Sequence, residues 1–468
     1  MFIAAFFIYQ NQPFWNMKKE ETINLAKDEV SALFKKLFFP TLVGMLGVSA
    51  VTTIDGIFVG HGVGGDGIAA VNIAIPLLMI LTGVALMLGI GSSVIASVNL
   101  SHGRKILARV NVTQAMLVGT IAGAVPMVAI LIFPEKTAYL LGSSESLLPL
   151  VTEYLVWFCP TFMFEAWVTI AMLAIRLDGA PKFAMWCSLA SSLINAVLDY
   201  LFIFPFGWGI MGAAFASSIS CGIGAAMALG YIMFYARTMR LHPLRFGARK
   251  ALLFARSIAA QCKIGSAALL SEATMAILML VGNLVFMHFL GDKGVGAFGI
   301  SCYYLPFVFM IGNSIAQSAQ PIISYNFGLG QSRRVRDALK VAIMTAVACG
   351  AVSTAAFMLF PRQLVGLFLN TSDEVARIAI DGFPVYGLGF IFFILNITII
   401  GYFQSVEKAL PATIFALLRG VVFLLPCFVL LPVAAGTVGI WLAMPVSEIL
   451  TSSAIAITFL IRSRHSKR

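Results

Sequence analysis

The chain has 468 residues, of which 60% are hydrophobic and 11% charged, whereas a soluble domain carries about 25% charged residues. A soluble core cannot absorb that much apolar surface while leaving so little charge outside, so lipid is the solvent for most of the chain. The net charge of +11 does not indicate nucleic acid, because the basic residues fall in short blocks between apolar runs, which is a signal of membrane topology.

In chain order, residues 1–16 (MFIAAFFIYQNQPFWN) are apolar but lack a basic leader and are too short to span. They read as an upstream extension or peripheral segment, with Met17 as an alternative start. Residues 1–30 form an N-terminal cytoplasmic segment. Six spans of about 20 apolar residues follow in an N-lobe (31–236), at 33–58, 68–98, 108–134, 148–175, 183–205 and 209–235. A basic linker (237–258) leads to a C-lobe (259–462) with spans at 259–290, 295–325, 338–361, 379–403, 410–432 and 437–461, then a tail of 463–468. The fold class is an all-α integral membrane protein of twelve transmembrane helices in two six-helix lobes.

Twenty-six of the 31 Lys and Arg lie on one side of this alternation, four lie on the other, and Arg419 sits inside a span. Both termini are therefore expected in the cytoplasm, with the protein in the cytoplasmic (inner) membrane. The seven cysteines are scattered, without paired spacing or nearby histidines, so neither a disulfide framework nor a metal cluster is expected.

The halves repeat. Phe133-Pro134 recurs as Phe360-Pro361 at an offset of 227, where Asn99 and Gly103 also meet Asn326 and Gly330, and GIMGAAFA from Gly209 meets GTVGIWLA from Gly436. Six spans per repeat is an even number, so both lobes share one orientation, with an axis along the membrane normal and a cleft between them suited to alternating access.

Five carboxylates fall within spans: Asp55, Glu165, Asp199, Glu272 and Glu448. Each costs about 2.5–3.5 kcal/mol at a helix centre and should face protein or a water-filled cavity. Asn195 and Asp199, four apart, share a helix face, and Asp55 reaches a matching depth in span 1. With a nearby hydroxyl, these oxygens suit either Na+ or a carboxyl pair sharing a proton. Asn313, Gln317 and Gln320 make a polar stripe on span 8 that lines the cleft or hydrogen-bonds between helices. Glu272 joins them as a cleft acid, and Met163, Trp167 and Tyr303 offer a deformable apolar surface for varied ligands. Pro40, followed by Gly44 and Gly47, either opens span 1 or marks a hinge within it.

Several strings resemble the multidrug and toxic compound extrusion (MATE) transporters, nearest to their bacterial multidrug-efflux branch: IDGIFVGHGVGGDGIAAVNIAIP from Ile54, RLDGAPKF from Arg176, LINAVLDYLFIF from Leu193, GIMGAAFAS from Gly209 and LLRGVVFLLP from Leu417. The resemblance covers about residues 30–462. It implies drug efflux driven by inward Na+ or H+, with cation coupling at Asp55, Asn195 and Asp199 and a hydroxyl ligand at Ser217. Glu272 matches an acid of the C-lobe. Where some relatives carry a second C-lobe acid in span 10, this chain has Asn396.

The expected substrates are lipophilic organic cations, since Asp55, Asp199 and Glu272 outnumber Arg419 as the base inside a span. No cofactor beyond the coupling ion is implied, the partners are small molecules and membrane lipids, and the protein is expected to be a monomer. A lipid-linked sugar flippase of a related superfamily is the alternative, although it would line its cleft with cations. An integral membrane enzyme is further away, because the five His are isolated and no His-Glu-x-x-His or Gly-x-Ser-x-Gly string occurs.

Overall fold

The computed structural model describes residues 23–244, 248–368, 371 and 373–465. Met1, Met17 and most of the N-terminal segment therefore lie outside the described residues. The first lobe runs through spans 1 (Val30–Gly62), 2 (Gly65–Ser101), 3 (Lys105–Ile132), 4 (Leu148–Phe158 and Pro160–Leu177), 5 (Pro181–Ile203) and 6 (Gly209–Gly230, ending in a π-helical turn). Spans 7 and 8 are one helical run, Ala248–Gly328, broken at Gly291. Span 9 is Ser332–Leu359, and span 10 is Glu374–Gly387 plus Phe390–Ser405, bent by 48°. Spans 11 and 12 follow from Ala409 to His465 and are separated at Gly436. This is a multi-pass membrane protein. Its helices present apolar stripes outward, as on span 3 with Ile121, Val125, Val128 and Ile132, which only lipid can solvate at this density.

The repeat is written into the backbone. Gly64 and Gly291 (φ 90° and 62°), Gly103 and Gly330 (74° and 71°), and Gly209 and Gly436 (56° and 57°) are mates at the offset of 227. Each turns the chain with a positive φ that other residues adopt only at a cost. Short helices at Pro134–Leu140 and Pro361–Gly366 repeat likewise. At the turn before span 11, Glu407 takes φ 56°, where the corresponding turn before span 5, 228 residues earlier, has Gly179 (φ 92°).

Pro40 does not open span 1. The helix begins ten residues earlier, at Val30, so Pro40 interrupts the backbone hydrogen bonding of a helix already under way. Of the two readings of Pro40, the helix start therefore does not hold.

The lobes meet at the end of the molecule that carries most Lys and Arg, the basic end. Leu33, Phe34, Leu37 and Phe38 of span 1 pack into the C-lobe core. Spans 2 and 7 touch backbone to backbone: a Cβ built on Gly91 would lie 2.0 Å from Gln261 O, and one on Gly265 would lie 1.8 Å from Met87 O. Small residues allow this approach, as they do between membrane helices generally.

Two straps cross this end. Ahead of span 1, Leu25 O accepts from Asn326 Nδ2 (2.9 Å) and Arg334 Nη2 (3.1 Å), and Asp28 O accepts from Arg334 Nη2 at 2.6 Å. Ahead of span 7, the Asp178 carboxylate accepts the N–H groups of Arg237, Thr238 and Met239 at 3.0, 2.6 and 2.9 Å. Each lobe thus holds the segment that leads into the other lobe's first span.

Candidate functional site

Spans 1 and 5 run parallel, and three glycines of span 1 fix their register. Gly44 faces Met185 and Ser188, Gly47 faces Leu189, and Gly62 faces Ile203. At that register Asp55 comes level with the turn between Asn195 and Asp199. Asp199 is fully buried and Asp55 is half-buried. The two carboxyl groups lie within hydrogen-bond reach of each other. Apart from that contact, Asp55 Oδ1 and both Asp199 oxygens have no partner among the described residues. Two carboxylates this close cannot both stay charged without help, so the pocket holds a shared proton or takes a cation. Asn195 Nδ2 donates to Ser217 Oγ at 3.4 Å, bringing span 6 to the same group.

Tyr154, from the first half of span 4, is buried close enough to interact electrostatically with both acids. No sequence pattern marks it. Tyr154 sits among apolar and aromatic neighbours, and nothing in its spacing ties it to acids 99 and 45 residues away.

A narrow cavity of about 30 Å³ lies between the lobes, lined by Glu272, Asn313, Gln317, Gln320 and Gln404 from the C-lobe and by Leu86 and Ile90 from span 2. One wall is amide-rich with a single acid, and the other is apolar. The polar stripe on span 8 lies at this cavity and also bonds across the lobes. Gln320 lines the cavity and exchanges hydrogen bonds with Ser93, while Gln317 accepts from the buried Arg176 across the lobes. The Met163 backbone packs against Gly123 of span 3, and Trp167 Nε1 donates to Thr120 Oγ1 of the same span at 2.7 Å. Tyr303 is half-exposed and stacks on Phe368 at 5.3 Å. None of these three lines the cavity.

Arg419 is not a cleft cation. A π-helical turn, Leu418–Val422, carries it into the C-lobe core. There its Nε donates to Glu448 Oε1 at 2.7 Å and its guanidinium lies 4.1 Å from the centre of the Phe393 ring. Asn396 completes the group, donating to Glu448 Oε2 at 2.7 Å and accepting from Ser452 Oγ at 2.7 Å. The residue standing where some relatives have a second C-lobe acid is thus committed to a neutralised internal pair.

The repeat recurs in comparisons with other proteins. The family model for MatE matches residues 40–201 and again residues 267–429. This chain belongs to the MatE family. The two matches start 227 residues apart, the offset carried by the paired glycines. The chain is 28% identical over 463 residues to the multidrug export protein MepA of Staphylococcus saprophyticus subsp. saprophyticus, covering 96% of this chain and 98% of that one. It is 26% identical over 458 residues to MepA of Staphylococcus aureus (strain MRSA252), with the same coverage. A solved outward-facing multidrug resistance MATE family transporter of the MOP superfamily shares the fold, with a TM-score of 0.86 over 96% of this chain and 98% of that one at 20% identity.

Proposed function

We propose that this protein is a secondary multidrug exporter of the cell membrane, exchanging lipophilic organic cations for inward Na+ or H+ by alternating access. The observation that carries the reading is the Asp55–Asp199 pair, whose buried oxygens lack any donor but each other. In a medium where a lone carboxylate is costly, such oxygens are retained for a ligand that comes and goes. Asn195, one turn before Asp199, and Ser217, which accepts from it, are the neighbouring groups that would complete a coordination shell for Na+ or hydrogen-bond a shared proton. Membership of the MatE family and likeness to multidrug export proteins support the same reading.

The positive-inside bias assigns the basic end to the cytoplasm, and with it both termini. Lobes at 31–236 and 259–462 that meet at that end are then arranged with the cleft facing outward. Cation binding in the N-lobe would bias the lobes toward the opposite arrangement, and by reciprocity the drug would weaken cation binding by the same factor. Pro40 lies in the part of span 1 that packs on the C-lobe, where a weakened helix can bend without emptying a core.

The test is uptake of a fluorescent organic cation into inside-out vesicles, with Na+ and pH gradients imposed separately. Accumulation driven by one gradient supports the reading and names the ion. Uptake indifferent to both gradients, with tighter binding of an anionic dye, would favour the flippase reading.

A further inference from the structure

Span 3 and the linker after span 6 enclose a groove that belongs to neither the carboxyl pair nor the inter-lobe cavity. Arg109, Thr113 and Leu117 stand at i, i+4 and i+8 and therefore share one face of span 3. Leu241, His242, Pro243 and Leu244 of the linker join Thr113 and Leu117 around an open groove of about 470 Å³. Polar ties fix its shape. The His242 N–H donates to Thr113 Oγ1 at 3.0 Å and Arg109 Nε to Thr238 O at 2.8 Å, while Asp178 holds the N–H groups of residues 237–239. The groove is thus preformed, which lowers the ordering cost of a ligand.

Its rim is basic. Arg109 Nη2 donates to Arg237 O at 3.4 Å, and Arg240 Nε and Nη2 donate to Ala236 O and Phe234 O at 2.9 and 3.2 Å, so two guanidinium groups flank one stretch of backbone. Both bond carbonyls, and neither has a carboxylate partner among the described residues. Residues 99–134 and 231–271 contain no Asp or Glu. Asp178, the acid that reaches the linker, is occupied by the Tyr231 hydroxyl and the three N–H groups. Beside the groove, Ile106 of span 3, Phe234 at the end of span 6 and Leu253 at the start of span 7 are exposed, a surface that lipid covers.

We propose that this groove binds one anionic phospholipid, with its phosphate at Arg109 and Arg240 and an acyl chain along Leu117, Leu241 and Leu244. Guanidinium groups meet phosphate oxygens through paired N–H donors, and basic pockets beside membrane helices recognise acidic head groups. The eight residues from Arg109 to Leu117 rise about 12 Å, enough to pass from head-group level into hydrocarbon. A soluble phosphate ester would meet the arginines without covering the leucines. A zwitterionic lipid would bring its own cation to a basic rim.

The experiment is competitive binding of dioleoyl phosphatidylglycerol and dioleoyl phosphatidylcholine to the purified full chain in detergent, with bound lipid identified by native mass spectrometry. The first lipid retained is expected to be phosphatidylglycerol, preferred at least about tenfold, one decade of Kd. Leu117→Trp fills the groove and keeps every cation, and Arg109→Gln keeps the groove and removes one; each should erase the preference, while Arg109→Lys should keep part of it. Excess glycerol 3-phosphate should not displace the lipid. Phosphatidylglycerol carrying a diazirine in its acyl chain should crosslink the unaltered protein at residues 113–117 or 241–244, a result that depends on no variant folding. No preference between the two lipids overturns the proposal, as do crosslinks confined to other segments. Displacement by glycerol 3-phosphate would reveal a soluble-ester site instead. A preference intact in folded Leu117→Trp would reveal diffuse attraction to the basic end, and also overturns it.

Discussion

Ser93 and Gln320 are 227 residues apart, the repeat offset, and are hydrogen-bonded to each other: Ser93 Oγ to Gln320 Oε1 at 3.3 Å and Gln320 Nε2 to Ser93 Oγ at 3.1 Å. A residue that touches its own repeat mate lies on the axis relating the repeats. Ser101 and Gly328, the mates two turns further on, also touch, for a Cβ built on Gly328 would lie 2.1 Å from Ser101 Oγ. The axis thus runs between the basic-end halves of spans 2 and 8, and this seam is where the lobes must part if they change arrangement.

Close packing at the seam sets the first expectation. Gly265→Val pushes a side chain into Met87 O, which is backbone and cannot swing aside. Overpacking of this kind costs about 1–3 kcal/mol. In a cysteine-free background with Ser93→Cys, adding Gly265→Val should raise the rate of thiol labelling by a reagent applied from the basic end. An unchanged rate would show that the seam does not govern access.

For the N-lobe pair, Asp55→Asn and Asp199→Asn should each leave the protein inserted and folded but abolish gradient-driven drug export, because the amide keeps the shape and removes the charge that binds the cation. Tyr154→Phe should leave export in place but shift its dependence on the coupling ion. Full drug resistance in both Asn variants at normal expression would end the assignment.

The Arg419–Glu448 pair should behave as structure. Removing one partner leaves the other charge buried alone, so Glu448→Gln is expected to destabilise by about 3–5 kcal/mol, whereas Arg419→Met combined with Glu448→Met should come close to wild type. Denaturation of all the variants in mixed detergent micelles completes the double-mutant cycle. A destabilisation that merely adds up in the double variant would show that the two charges are not coupled.

Glu407 strains its turn. At φ 56° it occupies a left-handed conformation costing roughly 1–2 kcal/mol for an L-residue, so Glu407→Gly should raise thermal stability. Desolvation also raises the Glu407 carboxyl above its ordinary pKa, partly offset by the charge of His102. With the native pKa raised, the native state binds the proton more tightly than the unfolded chain does. Its contribution is therefore present in acid and is lost as pH rises through the shifted value. The Gly variant should lack this small slope in a series of melting curves across mildly acid to neutral pH. Equal melting temperatures at every pH would show that the turn is unstrained.

The sequence by itself determined the membrane class, the twelve spans and the repeat, because each rests on composition or on short-range periodicity that burial in lipid enforces. It also carried the depth match of Asp55, since two spans starting from the same side count residues at the same rise. Tertiary structure decided the rest. Arg419 looked like a cleft cation until Glu448, Asn396 and Phe393 closed around it. The hydrogen bond from Trp167 to Thr120 of span 3 likewise had no trace in the sequence. Tyr154 had no signal at all. In a chain this apolar every helix face reads alike, so which face meets lipid, a neighbouring helix or the cleft depends on how helices distant in sequence pack. Backbone approaches such as Gly265 on Met87 exist only once the two lobes are brought together.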